Sequence, residues 1–320
     1  MLFRDPPAHT RLRALVSRAF TPRMLESWRS RIHQIVSKSV ERAKERGEID
    51  VIADLAFPLP ATVICEMLGL PPEDQAQCRT WTNALTKSLD PVMSTEEADE
   101  LIQAMVEFNE YLAERIAERR KSPGDDLMTA LIAAEEQGDR LSQEELISTM
   151  SLLFVAGHET ATNLIGNGML ALLRNPDQLQ RLRDQPALLR NGVEELLRYD
   201  NPVQFVIRTV KKPVAVDGEE MAAGDPVLLI IAAANRDPAQ FAEPDVLDLG
   251  RHDIRHLSFG GGIHFCLGSV LARMEAQIAL GALISNFEQL EIATDQLQWR
   301  PHINLRGLES LPLGVGIARR

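Results

Sequence analysis

The sequence predicts a mainly helical fold with small β-sheets, in the α+β class, and three observations carry that expectation. Two capping boxes, Ser94-Thr-Glu-Glu97 and Ser142-Gln-Glu-Glu145, each precede a long segment with apolar residues at helical spacing. Strand signals are confined to 206–210, 214–216 and 226–232, with Asp217-Gly218 as a hairpin turn. No internal repeat or low-complexity stretch divides the chain. Lys121-Ser-Pro-Gly-Asp-Asp126 reads as a loop between helices, so a single domain over 1–320 is expected.

Taken in order, Thr21-Pro22 has the chemistry of an N-cap and first helical residue, and predicts a helix running toward Arg46. The first capping box opens a helix whose inward positions are Leu101, Met105, Phe108, Leu112 and Ile116. The second opens the long helix that carries Gly157, and Asn175-Pro176 ends it. Two further helices reach Tyr199, and the strands follow. Beyond them stands Phe259-Gly-Gly-Gly-Ile-His-Phe-Cys-Leu-Gly268, where three glycines let the backbone pass close to a flat or bulky ligand. Apolar residues then recur at Leu267, Val270, Leu271, Met274 and Ile278, which places Cys266 at the mouth of a last long helix.

Composition excludes several classes. The formal charge of −12 argues against nonspecific nucleic-acid binding. Three cysteines at unrelated spacings imply a reducing compartment, so a cytoplasmic location is expected. No signal peptide or anchor is read at the start, and the most apolar helix, around 152–173, is interrupted by His158, Glu159, Asn163 and Asn167. It reads as a buried helix rather than a membrane span, and a monomer is expected.

A thiol at a helix N-terminus is easily held as thiolate, the form that binds metal. Structural zinc needs about four protein ligands, yet the chain has only Cys65, Cys78 and Cys266 and no Cys-x-x-Cys. An iron–sulfur cluster needs more thiolates than that, whereas haem iron takes a single one. No Lys-Ser or Lys-Thr follows the glycines, as a phosphate loop requires. For a cysteine taken alone, an inert buried thiol in a turning loop is the simpler reading.

The wider pattern is more specific. Phe259, Gly262, His264, Cys266 and Gly268 resemble the haem-binding loop of the cytochromes P450, Phe-x-x-Gly-x-His/Arg-x-Cys-x-Gly. Ala156-Gly-His-Glu-Thr160 resembles that family's oxygen-activation motif, and Glu195-Leu-Leu-Arg198 its Glu-x-x-Arg motif. Ala234-Asn-Arg-Asp-Pro238, with Phe241 and Pro244-Asp245, is similar to the segment before the haem loop in soluble bacterial members. The order is the family's own, and the likeness runs from about Leu2 to the end of the chain. It implies a cytochrome P450 fold and a haem-thiolate monooxygenase that inserts one oxygen atom from O2 into a hydrophobic small molecule.

By the resemblance, the cofactor is haem b (iron protoporphyrin IX), with Cys266 as axial ligand. Phe259, Gly260, Gly268, Ala156 and Gly157 are haem-contacting positions, and His9, Arg13, Arg208 and His264 bind its propionates. Glu159 and Thr160 match the acid–alcohol pair that delivers protons; Ala161, often Thr in relatives, is expected to matter little. Glu195 and Arg198 form a buried structural pair, with Arg236 as third member. Leu153, Val203, Phe205 and Val206 line the substrate pocket, with a contribution from the turn near 309–311. Terpenoid, polyketide and fatty-acid scaffolds all suit an apolar lining.

No Gly-x-Gly-x-x-Gly fingerprint follows a strand, so electrons are expected from a separate ferredoxin or flavodoxin. Arg4, Arg11, Arg13, Arg18 and Arg23 against Asp5 form a basic docking patch for such a partner. A peroxide-driven enzyme is the rival activity, and the acid–alcohol pair argues against it. Met1 falls inside what resembles internal P450 sequence, so first helices, two strands and the pocket roof are expected to be missing. That leaves a catalytically incompetent fragment as the other alternative, with an open sheet edge and exposed apolar surface.

Overall fold

The computed structural model describes residues 1–90, 92–136 and 141–316. It opens with α1 (Ala8–Ala19), α2 (Pro22–Ser27) and α3 (Arg29–Arg46). Thr21 caps α2 as its side chain suggests, accepting from the Met24 N–H at 3.2 Å. The helix expected to run unbroken to Arg46 is interrupted at Trp28. There the Ser27 hydroxyl donates to the Met24 carbonyl at 2.6 Å, a local bond that competes with the helical ladder. Gly47, at φ 73°, closes α3 and turns the chain into β1 (Glu48–Asp50). A π-helical turn, Val51–Ala56, leads to α4 (Pro58–Met67), and α5 (Gln75–Thr86) follows.

Both capping boxes form: Ser94 opens α6 (Thr95–Lys121), and Ser142 opens α8 (Gln143–Arg174) after α7 (Leu127–Glu136). On α6 the buried stripe is Leu101, Ala104, Phe108, Leu112 and Ile116. Met105 is nearly half exposed, and the adjacent Ala104 is buried in the stripe. Helix α8 is the centre of the fold, packing against α4, α5, α6 and the carboxy-terminal helices. Its carboxy-terminal half is sealed on nearly every face, from Ala161 through Leu172. Asn175 ends it, and α9 (Pro176–Asp184) and α10 (Leu189–Tyr199) follow.

The expected strands form two separate antiparallel pairs. β2 (Phe205–Thr209) will pair with β5, and β3 (Val214–Val216) joins β4 (Glu219–Met221) through Asp217 and Gly218, both at positive φ. β5 (Pro226–Ile230) sets Ile230 opposite Phe205. Ile207, Leu228, Leu229 and Ile230 are each roughly half exposed on that pair. A short α11 (Ile231–Ala234) precedes a long irregular stretch, then α12 (Ser269–Asn286), β6 (Gln289–Ile292) and β7 (Pro312–Gly316). The sheet ordered β1-β7-β6 is not visible in the sequence, since no hairpin turn signal links its strands and β1 (Glu48–Asp50) pairs with β7 (Pro312–Gly316) from the far end of the chain. No helix among the described residues is long and apolar enough to cross a membrane.

One buried group sits uneasily in this core. Glu275 on α12 is 1% exposed, and neither carboxylate oxygen has a hydrogen-bond partner among the described residues. Burial pushes its carboxyl well above the usual 4.5, so the fold keeps it uncharged. The unfolded chain ionises it above that value, and the native state therefore loses relative stability as pH rises through the window above 4.5. Glu275→Met should raise stability by about 1–3 kcal/mol at neutral pH, and by less below pH 4.5. Chemical denaturation of both proteins at the two pH values checks this; a gain that grows toward acid contradicts it.

Candidate active site

The site is held by a polar knot on α10. Glu195 and Arg198 stand one turn apart, and both are fully buried. Arg198 Nε and Nη2 donate to the two carboxylate oxygens at 2.8 Å each. Nη1 donates to the carbonyls of Asn235 (3.0 Å) and Pro244 (2.7 Å), and Nη2 also to that of Val246 (3.2 Å). Glu195 Oε1 accepts in addition from the Asp248 N–H at 3.0 Å and from Arg251 Nε at 3.1 Å. The third side chain of the network is thus Arg251, not Arg236 as the sequence suggested. Arg236 instead donates to Asp245 and to the Tyr199 carbonyl, both at 2.6 Å, and lies over the Tyr199 ring. Arg251 stands 56 residues from Glu195, a separation that carries no local pattern.

The knot fixes the approach to the cysteine loop. Asn235 is buried and bonds Ser258 Oγ at 2.9 Å and the Leu257 N–H at 2.8 Å. Ser258 Oγ in turn donates to the Leu197 carbonyl of α10 at 2.6 Å. The loop then turns at Gly260 (φ 68°) and Gly262 (φ 63°), a backbone region that favours glycine. The Cys266 N–H closes the loop on the Phe259 carbonyl at 2.9 Å. Helix α12 begins at Ser269, three residues beyond Cys266. A second clamp ties the loop down: Glu194 accepts from Arg273 at 2.6 and 2.8 Å and pairs with His256 at 3.1 Å. Arg273 also lies 4.3 Å from the centre of the Phe259 ring. The sequence reading missed Glu194 and Arg273; the spacing of Arg273, seven residues beyond Cys266, was its one local hint.

Burial pushes the Cys266 thiol up, while the N–H groups of Gly268 and Ser269 and the guanidinium groups of Arg13 and Arg273 act in the opposite direction. The propionate candidates gather beside it. His9 on α1 is 2% exposed, with both ring nitrogens unpartnered among the described residues. Its ring centre lies 4.4 Å from that of His264. Arg13 donates to the Phe265 carbonyl at 2.8 Å. Burial, then the neighbouring His9, Arg208 and Arg13, hold His264 below its ordinary value, and Asp5 opposes them. Asp5 itself is engaged with Lys211 at 2.6 Å.

On α8, Ala156 is exposed and Gly157 and Thr160 are half-buried, just before the stretch from Ala161 that is buried throughout. Thr160 Oγ1 donates to the Ala156 carbonyl at 3.1 Å. Glu159 is 1% exposed and is ion-paired through Oε1 to Arg300, a partner that no spacing in the sequence reveals. Asn163 Nδ2 reaches the same oxygen at 3.4 Å. Leu153 and Phe205 are buried, and Val203 and Val206 are half-buried. Among the described residues no cluster of three His, Cys, Asp or Glu side chains is placed to hold a bare metal ion.

A single thiol at a glycine-turned loop, a set of basic side chains next to it, and Glu159 beside Thr160 on the central helix fit the haem-thiolate class of site. The family model described as "Cytochrome P450" matches residues 1–304. The chain is 46% identical over 315 residues to "Cytochrome P450 CYP107DY1" of Priestia megaterium, covering 98% of this chain and 76% of that protein. The structure of P450BioI in complex with an acyl carrier protein ligated to hexadec-9Z-enoic acid superposes with a TM-score of 0.95 at 40% identity, covering 99% of this chain and 82% of that one. CYP109E1 from Bacillus megaterium in complex with testosterone gives a TM-score of 0.91 at 36% identity, with 99% and 86% coverage. The chain belongs to the cytochrome P450 family. It is an oxidoreductase of the monooxygenase kind, and a haem-thiolate cofactor, O2 and an electron donor follow from that membership.

The Glu194 clamp gives a pH test. Burial raises its carboxyl, but the bonds from His256 and Arg273 outweigh that and hold it at about 2. The sign follows: the stability it contributes is present above the usual 4.5 and is lost as pH falls toward about 2. Wild type should therefore exceed Glu194→Gln in unfolding free energy at neutral pH, with the gap closing between those two values. Urea denaturation across the acid range measures the gap, and one that does not change with pH contradicts the assignment.

Proposed function

We propose that this chain binds haem b through Cys266 and hydroxylates or epoxidises a hydrophobic small molecule. The observation that carries the reading is the gathering of two imidazoles, His9 and His264, and two guanidinium groups, Arg13 and Arg208, next to the lone thiol, where the one nearby acid, Asp5, is engaged with Lys211. Two carboxylates are what that cluster lacks, and His9 offers two buried, unpartnered ring nitrogens to one of them. The loop suits a broad flat group as well: nothing lies within 4 Å of where a Cβ would stand on Gly261, Gly262 or Gly268. The donor chemistry and the space both fit haem.

When bound, haem supplies the iron that activates dioxygen, with a thiolate ligand favouring O–O cleavage. The chain supplies the rest. Burial raises the Cys266 thiol, and the N–H groups of Gly268 and Ser269 with Arg13 and Arg273 oppose it, favouring the thiolate that would bind iron. Ala156 presents a small, exposed side chain and Gly157 none, which would leave room for dioxygen against α8. Thr160 can turn its hydroxyl from the Ala156 carbonyl toward that space, and Glu159, one residue earlier, is the neighbouring carboxyl group through which protons would pass. One oxygen atom enters the substrate and the other leaves as water, with two electrons and two protons consumed.

Leu153, Val203, Phe205 and Val206 supply apolar surface for the substrate. An acyl chain bound in one related structure and a steroid in another support a hydrophobic ligand class. The electron donor is a ferredoxin or flavodoxin. Arg13, beside the Phe265 carbonyl, marks the cysteine side of the molecule as its docking face, together with Arg4, Arg11, Arg18 and Arg23. Glu159 and Thr160 favour oxygen-driven over peroxide-driven turnover.

The reduced, CO-treated spectrum of the purified protein tests the ligand assignment. A red-shifted Soret band of the thiolate type is expected, and Cys266→Ser should abolish it. Thr160→Ala should keep the band while diverting electrons to peroxide, lowering product per electron pair by about tenfold or more. Full coupling in Thr160→Ala removes the proton-delivery role.

A further inference from the structure

The chain after β6 folds back as a hairpin: the Arg300 N–H donates to the Gly307 carbonyl at 2.9 Å, and the Glu309 N–H to the Gln298 carbonyl at 3.0 Å. One arm is tied to the segment that follows α10. Leu305 forms a β-bridge with Val203, and the Arg306 N–H donates to the Pro202 carbonyl at 2.8 Å. The same arm lies hard against α8. A Cβ on Gly307 would stand 2.0 Å from Asn163 Oδ1, and the Arg306 carbonyl accepts from Asn167 at 2.9 Å. The backbone of Arg306 is thereby fixed, and its side chain is held as well. The guanidinium lies 3.7 Å from the centre of the Trp299 ring, and Nε donates to Asp200 at 2.8 Å.

Beside it is a polar cavity of about 170 Å³. Asp200, Asn201, Gln204, Arg236 and Arg306 line it, and Ala232 is the one aliphatic side chain in the lining. Arg236 is held much as Arg306 is: it lies 4.4 Å from the centre of the Tyr199 ring and donates to the Tyr199 carbonyl at 2.6 Å. The side-chain amides of Asn201 and Gln204 donate to the carbonyls of Val203 and Asn201, which braces the wall. Two guanidinium groups share one lining carboxylate, Asp200, because Asp245, the other partner of Arg236, is 82% exposed and stands outside. One positive charge is in excess. Donors are in excess too. Only Nε of Arg306 is bonded; Nη1 and Nη2 have no hydrogen-bond partner among the described residues and are open to solvent.

We propose that this cavity is a binding site for a short hydrophilic carboxylate, gripped by the two Nη groups of Arg306, with Arg236 adding charge. The chemistry selects that class. A guanidinium stacked on an aromatic ring presents a planar fork, which a carboxylate matches with two parallel hydrogen bonds. A single excess charge suits a monoanion, whereas a phosphate dianion would meet the Asp200 carboxylate uncompensated. A lining with almost no apolar surface offers nothing to a long acyl chain. None of these residues is among those proposed to hold haem, so binding does not depend on it. Gln204 stands between Val203 and Phe205, so one short segment serves both this cavity and the proposed substrate pocket.

Calorimetric titration of the purified protein with acetate tests the site. One acetate per chain is expected, with a dissociation constant of about 1 mM. Arg306→Gln should weaken binding by about tenfold or more, and Arg306→Lys, which keeps the charge but loses the fork, by about threefold or more. Asp200→Asn keeps an acceptor for Arg306 Nε while removing the competing charge, and should bind acetate about threefold more tightly. Because that effect has the opposite sign, it decides the matter even where the Arg306 variants do not fold. Acetate should also change the tryptophan fluorescence of wild type, through the ring beneath Arg306, and Trp299→Phe should abolish the change. Octanoate should bind no more tightly than acetate, and inorganic phosphate more weakly. The proposal is overturned by any one of four results: no saturable acetate binding by wild type, undiminished binding by Arg306→Gln, no gain in Asp200→Asn, or a preference for octanoate or phosphate. A fluorescence change that survives Trp299→Phe places the anion elsewhere and is equally fatal.

Discussion

Arg198 has five N–H groups, and all five are bonded: two to Glu195 and three to backbone carbonyls of the segment that follows α11. The rest of the site depends on that one side chain. From 235 to 261 the chain has no regular helix or strand, so it lacks the ladder that would otherwise satisfy its backbone groups. Arg198 and Arg251 supply donors to the carbonyls of Asn235, Ala242, Glu243, Pro244 and Val246 in its place. A buried ion pair in isolation is a weak source of stability. Here it is fully hydrogen-bonded, and its product is a fixed irregular path rather than net free energy.

That path delivers the cysteine loop to a place where α1 and α12 meet it. Asn235 and Ser258 pass the restraint on to Leu257, and the Glu194–Arg273–His256 clamp holds the far side. Arg13 reaches the Phe265 carbonyl from α1, and His9 packs on His264. The Cys266 thiol thus lies among N–H donors and guanidinium groups whose positions are set by residues tens to hundreds of positions away in sequence. The activating helix is built on a different principle. Its carboxy-terminal half is buried, and its buried Glu159 is held by Arg300 from the last hairpin.

What could be read in the sequence was local. Capping boxes, the Asp217-Gly218 turn, the glycine loop and the Glu195–Arg198 spacing all act within a few residues, and the structure forms each of them. The choice between Met105 and Ala104 was not readable, because both lie near the same helical stripe. Arg251 and Arg300 were invisible because their partners lie 56 and 141 residues away. Arg236 was misplaced for the complementary reason: it adjoins the knot in sequence, while its guanidinium turns to Asp245 and Tyr199. The β1-β7-β6 sheet pairs β1 with a strand from the far end of the chain, and no hairpin turn signal links its strands.

The Arg198 knot, rather than the loop alone, holds Cys266 in the position from which it is proposed to bind iron. Arg198→Lys tests it most directly, since lysine keeps the charge but has three donors and no planar fork. The measurement is the reduced, CO-treated absorption spectrum, taken with far-UV circular dichroism to confirm that helix content is retained. The knot predicts loss of most of the red-shifted thiolate band, replaced by a band at shorter wavelength. A full-intensity thiolate band in a folded Arg198→Lys protein would show that the loop positions the cysteine by itself.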